Sequence, residues 1–183
     1  MAEVAPFIDA SVFLGMHHED ETIRRRSLAF FHGHYRARAR MNFEQVGICD
    51  AIIWRQPRAV QDLYYPFMDL LHSDMQILRE GYTFADLQRA LDDRALRHLR
   101  PEQALLVAQV LLSREGRLYT HDTALLKLPC LEAQLGNFDD LPALGAFPPE
   151  LQDLYQASRA FILTDKDWHH VEIRHLHTLD HTA

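Results

Sequence analysis

The sequence contains no run of eighteen uncharged apolar residues, and its first fifteen residues, MAEVAPFIDASVFLG, carry two acids instead of a basic start. A membrane-spanning helix and a secretory signal peptide are therefore not expected. Cysteine is also scarce, because only Cys49 and Cys130 occur, far apart and outside any CxxC pair. We expect both to be reduced core residues, with a reactive thiol as the less favoured alternative. Together these absences indicate a cytoplasmic protein.

Basic residues are few relative to acidic ones, with 19 Lys and Arg against 26 Asp and Glu and a formal net charge of −7. This balance argues against a protein that wraps duplex nucleic acid non-specifically, since that affinity comes from neutralising many phosphates. It does not exclude a nuclease. Metal-dependent active sites are locally acidic, and a short single strand can be bound by a local basic patch.

The sequence does contain enough apolar material for a core, because 48% of its 183 residues are hydrophobic. This length and composition fit a single domain. We place that domain at residues 1–165, followed by an extension at 166–183 that holds five of the twelve histidines.

Two short apolar segments have the composition of buried strands, and each ends on an aspartate: VAPFID at Asp9 and RLYTHD at Asp122. Because helices separate them, the sequence predicts a helix-rich α/β fold, with three α/β/α layers around a mainly parallel sheet. Ligands of such sheets bind outside the carboxyl ends of the strands. Each aspartate taken singly is explained equally well as a helix cap, but the pair favours a shared acidic pocket.

Helical spacing of apolar residues predicts the remaining elements. One helix is expected over 21–31, and a second begins after the N-cap Asn42. A longer one follows Pro57 and is kinked or restarted at Pro66. Thr83 and Asp86 form a candidate capping box for a fourth helix. A buried helix from Pro101 to Gly116, an irregular connection over 128–149 and a last helix complete the chain.

The motifs FIDAS, NFEQVGICDAIIW and LYTHDTAL, the last after a buried helix, occur in an order that resembles the PIN-domain family over residues 4–127. That family is known chiefly for ribonucleases whose acids surround one or two Mg²⁺ or Mn²⁺ ions at the strand ends. By this resemblance Asp9 is the first acid, Glu44 the second and Asp122 the last. Ser11 and Thr120 are then supporting hydroxyls.

The third acidic position departs from the family pattern, because the matching residue is Gln103, in PEQALLVAQ. A glutamine is neutral, and hard divalent cations depend on carboxylate charge for their affinity. Glu102 would replace the missing acid only if the helix were rotated or shifted, since adjacent helix positions diverge by about a quarter-turn. The departure puts catalysis in question.

The resemblance implies an RNA phosphodiesterase, acting on single-stranded or structured RNA, with Asp9, Glu44 and Asp122 as catalytic residues and metal ligands. The cation would lower the pKa of a bound water and neutralise charge in the transition state. Glu44 would hold a second metal or orient the water. The first alternative is a PIN-like module that has lost catalysis and binds a protein partner, which Gln103 and the acidic charge favour. A homodimer is compatible with the sequence.

Asp69 and His72 are three residues apart in a segment dense in polar and aromatic groups, QDLYYPFMDLLHSDM. On a helix this spacing puts both side chains on one face, where they would bind a metal together or orient one another. The favoured interpretation is a surface Asp–His pair that contributes about 0.3 kcal/mol to stability.

Two histidine-containing segments complete the candidates. HGHYRARAR, at residues 32–40, is either a phosphate or RNA contact or, as the favoured interpretation, a solvated helix end. In VEIRHLH a strand would put His175 and His177 on one face as a chelating pair. Imidazoles bind Zn, Fe, Ni or Cu. A transition-metal enzyme that uses these histidines or His72 is therefore the second alternative, against an exposed tail with incidental histidines.

Overall fold

The computed structural model describes residues 5–113, 115–142 and 145–169. Four strands and nine α-helices alternate along these residues, together with three short 3₁₀ helices. The strands are β1 (Phe7–Ile8), β2 (Ala39–Asn42), β3 (Ile77–Glu80) and β4 (Leu118–Tyr119). The helices are α1 (Ala10–Gly15), α2 (Glu21–His34), α3 (Phe43–Ile53), α4 (Arg58–Met75), α5 (Phe84–Asp92), α6 (Pro101–Leu112), α7 (Thr123–Leu126), α8 (Pro149–Ser158) and α9 (Asp165–His169).

The four strands form one parallel sheet in the order β3-β2-β1-β4. Phe7 of β1 pairs with Arg40 of β2 on one side and with Leu118 of β4 on the other. The predicted α/β class with a parallel central sheet is therefore confirmed. In this order the chain moves outward from β1 in both directions, and β1 and β4 meet where the direction of winding reverses. Such a reversal is the usual position of a ligand crevice in open parallel sheets.

Buried side chains lie in two clusters, one on each face of the sheet, because neighbouring strand residues point to opposite faces. Ile8 belongs to the larger cluster and Phe7 to the smaller one. Helices α1, α2, α3, α4 and α8 contribute to the larger cluster, whereas α6 contributes to the smaller one and packs on α5. Helices thus cover both faces, as three layers require.

Strands β2 and β3 are the main elements that the sequence analysis did not predict. β2 includes Arg40 from the basic segment at 32–40, and it contributes one of the middle strands of the sheet. The Arg40 guanidinium lies 4.0 Å from the Phe7 ring centroid and donates to Glu80 Oε2 from Nε (2.9 Å) and Nη2 (2.7 Å). β3 follows Gln76, whose left-handed backbone (φ 51°) ends α4. Arg40 is therefore a structural residue of the sheet and not part of a solvated helix end.

Most predicted helix boundaries hold. The Thr83–Asp86 capping box is present with both of its bonds, and Asn42 caps α3 by accepting from Gln45 N at 3.0 Å. α6 is shorter than predicted, since it ends at Leu112 and not at Gly116. α4 continues through Pro66 as one helix.

Both cysteines are free thiols, but only Cys49 is fully buried, whereas Cys130 is partly exposed. Within the described ranges, no helix combines the length and apolarity that crossing a bilayer demands.

Candidate functional site

The carboxyl ends of β1 and β4 bring together residues that are more than a hundred positions apart in sequence. Asp9 directly follows β1 and caps α1, while Thr120 directly follows β4 and Asp122 caps α7. Because β1 and β4 are hydrogen-bonded neighbours, both turns lie at the same edge of the sheet. The two aspartates predicted from the sequence are therefore close enough that the charge of Asp122 acts on the Asp9 carboxyl group.

Two hydroxyl groups hold the Asp9 carboxylate. The Ser11 hydroxyl donates to Asp9 Oδ1 and the Thr120 hydroxyl donates to Oδ2. Val12 N also donates to Oδ1, at 3.2 Å, as the helix-capping bond. The Asp9 residue is only 3% exposed, so these contacts replace the water that would otherwise solvate its carboxylate.

Backbone donors fix the orientation of both hydroxyl groups. His121 N donates to Ser11 Oγ at 2.7 Å, and Asp122 N donates to Thr120 Oγ at 2.9 Å. Each hydroxyl oxygen accepts one backbone proton, so its own proton is directed to the Asp9 carboxylate. The turn after β4 thus positions a carboxylate that belongs to β1.

The Asp9 carboxyl group is harder to ionise than an ordinary aspartate. Burial raises its pKa from 3.8 to about 6, the Ser11 and Thr120 hydrogen bonds oppose this rise, and the charge of Asp122 adds to it. A buried carboxylate favours its neutral form unless positive charge compensates it. Asp9 therefore has the electrostatic character of a group that gains from a cation nearby.

Asp122 is partly exposed and is held from the start of α6. Gln103 Nε2 donates to Asp122 Oδ2 at 2.6 Å, and Arg100 Nη2 lies 3.8 Å from the same oxygen. Asp122 Oδ1 accepts from Ala124 N at 2.8 Å, which is the cap of α7. Both aspartates thus cap helices at the same edge of the sheet. Gln103, the residue at the third acidic position, lies in direct contact with the last acid.

Glu102 is oriented differently from Gln103. Its carboxylate pairs with Arg100 Nε at 3.0 Å, and the side chain is 15% exposed. No hydrogen bond joins Glu102 to Asp9 or Asp122 among the described residues. The helix is therefore not rotated so as to put Glu102 in the place of Gln103.

Glu44 lies in the first turn of α3, just beyond β2, beside the phenol of Tyr82. Burial, and then the Glu44 carboxylate, raises the pKa of Tyr82 well above its ordinary value, and the charges of Asp86 and Glu102 add to this effect. Glu44 Oε2 and the Tyr82 hydroxyl are both shielded from solvent and lie close to each other. Glu44 thus reaches the same edge of the sheet, but no described contact joins it to Asp9 or Asp122.

The oxygen ligands of this edge suit a hard cation such as Mg²⁺, which keeps several waters and is bound through one or two carboxylates together with substrate phosphates. Asp9 and Asp122 are two such carboxylates. Across the described ranges, however, no group of three or more histidine, cysteine, aspartate or glutamate side chains lies close enough together to hold a metal ion. The fit is therefore to a sparsely ligated, water-rich cation and not to an enclosed protein cage.

Asp69 and His72 line a separate cavity of about 410 Å³ between α3, α4 and the sheet. Asp50 and Arg79 share this lining, and Phe13 forms part of it, with its ring centroid 5.1 Å from that of His72. Burial, and then the charge of Arg79, lowers the pKa of His72 to about 4. Asp69 and His72, three residues apart in α4, thus line the same cavity. His175 and His177 lie outside the described residues.

Two residues of the site were missed in the sequence. Gln45 Oε1 accepts from Ala10 N at 2.9 Å, so the start of α3 is joined to the residue after Asp9. His121 connects the site to α2, because its ring Nε2 lies 2.9 Å from Ser27 Oγ. A buried glutamine in the helical motif NFEQV was the available indication for Gln45, whereas nothing in the pattern separated His121 from an ordinary loop residue.

A family model described as a family of unknown function (DUF6190) matches residues 1–168 of the chain. No curated protein matches the chain.

Proposed function

We propose that this chain is a PIN-like protein that hydrolyses RNA phosphodiester bonds with Mg²⁺ or Mn²⁺ at Asp9 and Asp122. The chain belongs to the family of unknown function DUF6190. The observation that supports the proposal most is the pair of carboxylates at the β1 and β4 ends, joined through Thr120. The hydroxyl of Thr120 donates to Asp9 and accepts from Asp122 N. One side chain therefore couples the positions of both acids.

A bound divalent cation would lower the pKa of a coordinated water and neutralise negative charge on the phosphate in the transition state. The residues of the chain have distinct roles around it. Asp9 and Asp122 would bind the cation, and Ser11 and Thr120 hold Asp9 in one orientation. Glu44, whose carboxylate lies beside the Tyr82 hydroxyl, would orient the attacking water or hold a second cation.

Protonation of Asp9 sets the lower pH limit of this chemistry. A carboxylate must be ionised to bind a divalent cation, and the pKa of Asp9 is raised to about 6 by burial. Metal affinity and cleavage are therefore expected to fall as the pH decreases through 6. The cation itself favours the ionised form, so this limit moves to lower pH as the metal concentration rises.

The test is cleavage of a labelled single-stranded RNA with Mn²⁺ at about pH 7.5 by the full chain. Asp9→Asn and Asp122→Asn should each lower the rate by at least about a hundredfold, since each removes a charged metal ligand. Asp153→Asn removes the same charge from the exposed face of α8 and is the matched control, with an unchanged rate. Equal rates in the parent and in both site variants would end the hydrolytic assignment.

A second candidate is a PIN-like binding or regulatory module without hydrolysis. The contact that favours it is the 2.6 Å hydrogen bond from Gln103 Nε2 to Asp122 Oδ2, which occupies an oxygen that a metal ligand would need. Such a protein would bind RNA, or a protein partner, and cleave nothing at any Mn²⁺ concentration. RNA retention in EDTA together with no cleavage in Mn²⁺ would identify it.

Two further proposals concern the cellular compartment of the protein and the transition metals that it would bind. The free thiols of Cys49 and Cys130 fit a reducing compartment, and we place the protein in the cytoplasm.

The hypothesis of a transition-metal enzyme now depends on His72, which lines the cavity between α3 and α4, and on two histidines of the tail. These two, His175 and His177, lie outside the described residues. Elemental analysis of the full chain would decide it, because Fe, Zn, Cu or Ni would remain bound through purification.

A further inference from the structure

A groove of about 380 Å³ runs between the first half of α2 and the segment at 138–142. Thr22, Arg25 and Arg26 form its α2 side, and Phe138 and Asp139 form part of the other side. It is open to solvent and combines basic, hydroxyl and aromatic groups. This composition differs from that of the whole chain, whose net charge is −7.

The two arginines of the groove are available to an anion. Arg25 is exposed and forms no ion pair with any residue in the described ranges. Arg26 Nη2 lies 3.6 Å from Asp139 Oδ1, with the two side chains 46% and 74% exposed. Exposed pairs of this kind are weak, so Asp139 does not prevent Arg26 from binding a phosphate. Among the residues that line the groove, two guanidinium groups thus stand against one carboxylate.

Phe138 supplies an aromatic surface in the same groove. It is only partly buried, and its ring is stacked on that of His121, with centroids 4.7 Å apart and planes 6° apart. The Tyr119 ring meets Phe138 edge-on at 5.3 Å, which fixes its orientation. Proteins that bind single strands stack bases on aromatic side chains of this kind, next to cationic groups that contact the backbone.

His121 joins this groove to the carboxylates. Its backbone lies between Thr120 and Asp122, and its N–H donates to Ser11 Oγ at 2.7 Å. Its ring lies on the groove side, against Phe138 and Ser27. Arg26 is near enough that, after burial, its charge helps to lower the pKa of His121 to about 4. The ring that stacks on Phe138 therefore belongs to the residue next to Asp122 in the chain.

We propose that this groove binds a nucleotide of single-stranded RNA beside the scissile phosphate, with Arg25 and Arg26 on the backbone phosphates and a base stacked on Phe138. The proposal rests on the function proposed above and names the surface that delivers the substrate. Single strands are preferred to duplexes, because the bases of a duplex are already stacked on each other and cannot reach the Phe138 ring.

Binding is measured separately from cleavage by fluorescence anisotropy of a labelled oligouridylate in EDTA, over a range of salt concentrations. The Arg25→Gln/Arg26→Gln double variant should bind at least about tenfold more weakly, with the salt slope reduced by about 1.4, or about 0.7 for each phosphate that the variant no longer neutralises. Phe138→Leu should weaken binding about tenfold without changing the slope, since stacking is not ionic. Arg117→Gln/Arg159→Gln removes the same charge from exposed positions outside the groove and should bind like the parent.

The outcomes separate this inference from the hydrolytic function. The proposed groove would be overturned by no binding of RNA to the parent, by equal binding to the Arg25/Arg26 variant, or by an equal decrease in the Arg117/Arg159 control. Cleavage by the parent in Mn²⁺ with an unchanged kcat/KM in both groove variants would reject the groove and leave the nuclease standing. Weakened binding in the groove variants, with no cleavage by the parent, would support the groove and reject the nuclease function. Circular dichroism and thermal unfolding of each variant confirm that it is folded.

Discussion

Gln103 shows how one side chain adjusts the charge of this site. Its Oε1 accepts from Arg100 N at 3.0 Å, and its Nε2 donates to Asp122 at 2.6 Å. An amide accepts and donates at once, whereas an ionised carboxylate only accepts. A glutamate at this position would keep the hydrogen bond from Arg100 N. Its carboxylate and that of Asp122 would, however, repel each other, with no proton between them to form a hydrogen bond. Gln103 thus stabilises the acidic edge in the absence of a cation.

Gln103→Glu should therefore exchange stability for metal affinity. In EDTA we expect the free energy of unfolding to fall by about 0.5–1.5 kcal/mol, the usual net contribution of one hydrogen bond, because Asp122 is partly exposed. With Mn²⁺ the extra carboxylate should tighten binding and restore much of the stability. Urea unfolding with and without Mn²⁺ measures both effects.

The matched control for this prediction is Gln156→Glu, which adds the same charge at an exposed position of α8. It should change neither quantity. A Gln103→Glu variant that is as stable as the parent in EDTA, with the same Mn²⁺ affinity, would show that Gln103 and Asp122 do not interact as described.

At the scale of secondary structure, the sequence predicted the elements that bear the site better than the sheet between them. β1 and β4 are apolar, and an aspartate follows each within three residues, so Asp9 and Asp122 could be assigned to the ends of strands from the sequence alone. β2 was not recognised because Arg40 is charged. In the sheet this side chain is stabilised by its contacts with Phe7, Glu80 and Ser113. The residues around Arg40 do not indicate that Phe7 and Glu80, more than thirty positions away in the chain, will contact it.

β3 and the contacts of the site were missed for related reasons. The residues ILRE continue the apolar pattern of α4, and the left-handed Gln76 that separates them is not a glycine. Likewise, the positions of Gln45 and His121 depend on how α3 and α2 pack, which no short motif encodes. Hydrogen bonds within one turn, such as the Thr83 capping box, were predictable because all their atoms are local.

The packing of α1 on α2 depends on the absence of a side chain at Gly15. A Cβ atom there would lie 2.3 Å from Ser27 Oγ and 3.4 Å from His121 Cδ2. Gly15→Ala should therefore displace α2 and His121 and lower the free energy of unfolding by about 1–3 kcal/mol. Chemical denaturation measures the change.

Gly47→Ala is the matched control, since it lies inside α3 with nothing within 4 Å of the added carbon. Relief from the helix penalty of glycine should raise stability there by about 0.5–1 kcal/mol. Stability changes of the same sign for the two alanine variants would contradict the described packing at Gly15.

Across the whole molecule, buried imidazoles link stability to pH. Burial lowers the pKa of His17 to about 3 and those of His72 and His121 to about 4, from an ordinary value of 6.5. Below pH 6.5 these histidines are protonated in the unfolded chain but remain neutral in the folded protein. The free energy of unfolding is therefore highest above pH 6.5 and decreases as the pH falls towards 4. Asp9 acts in the opposite direction, because its raised pKa lets the folded state bind a proton between pH 6 and 3.8.

Urea unfolding between about pH 7.5 and 4.5 should therefore show stability decreasing with acid, by up to about 1.4 kcal/mol per pH unit for each uncompensated imidazole. His17→Phe should reduce this slope, since the His17 ring lies in an aromatic cluster that suits a phenyl group, formed by Tyr64, Phe67, Tyr155 and Phe161. His98→Gln, at an exposed position, should leave the slope unchanged. A parent protein whose stability does not depend on pH over this range would contradict the burial of the three rings.

The most direct test of the central claim is a crystal of the full chain soaked in Mn²⁺ at about pH 7.5 and measured at the manganese absorption edge. An anomalous peak is expected within about 2.0–2.6 Å of carboxylate oxygens of both Asp9 and Asp122, or one water away from the second of them. The peak should be absent from an Asp9→Asn crystal treated in the same way. Manganese bound elsewhere in the molecule, with none at the β1 and β4 ends, would contradict the account.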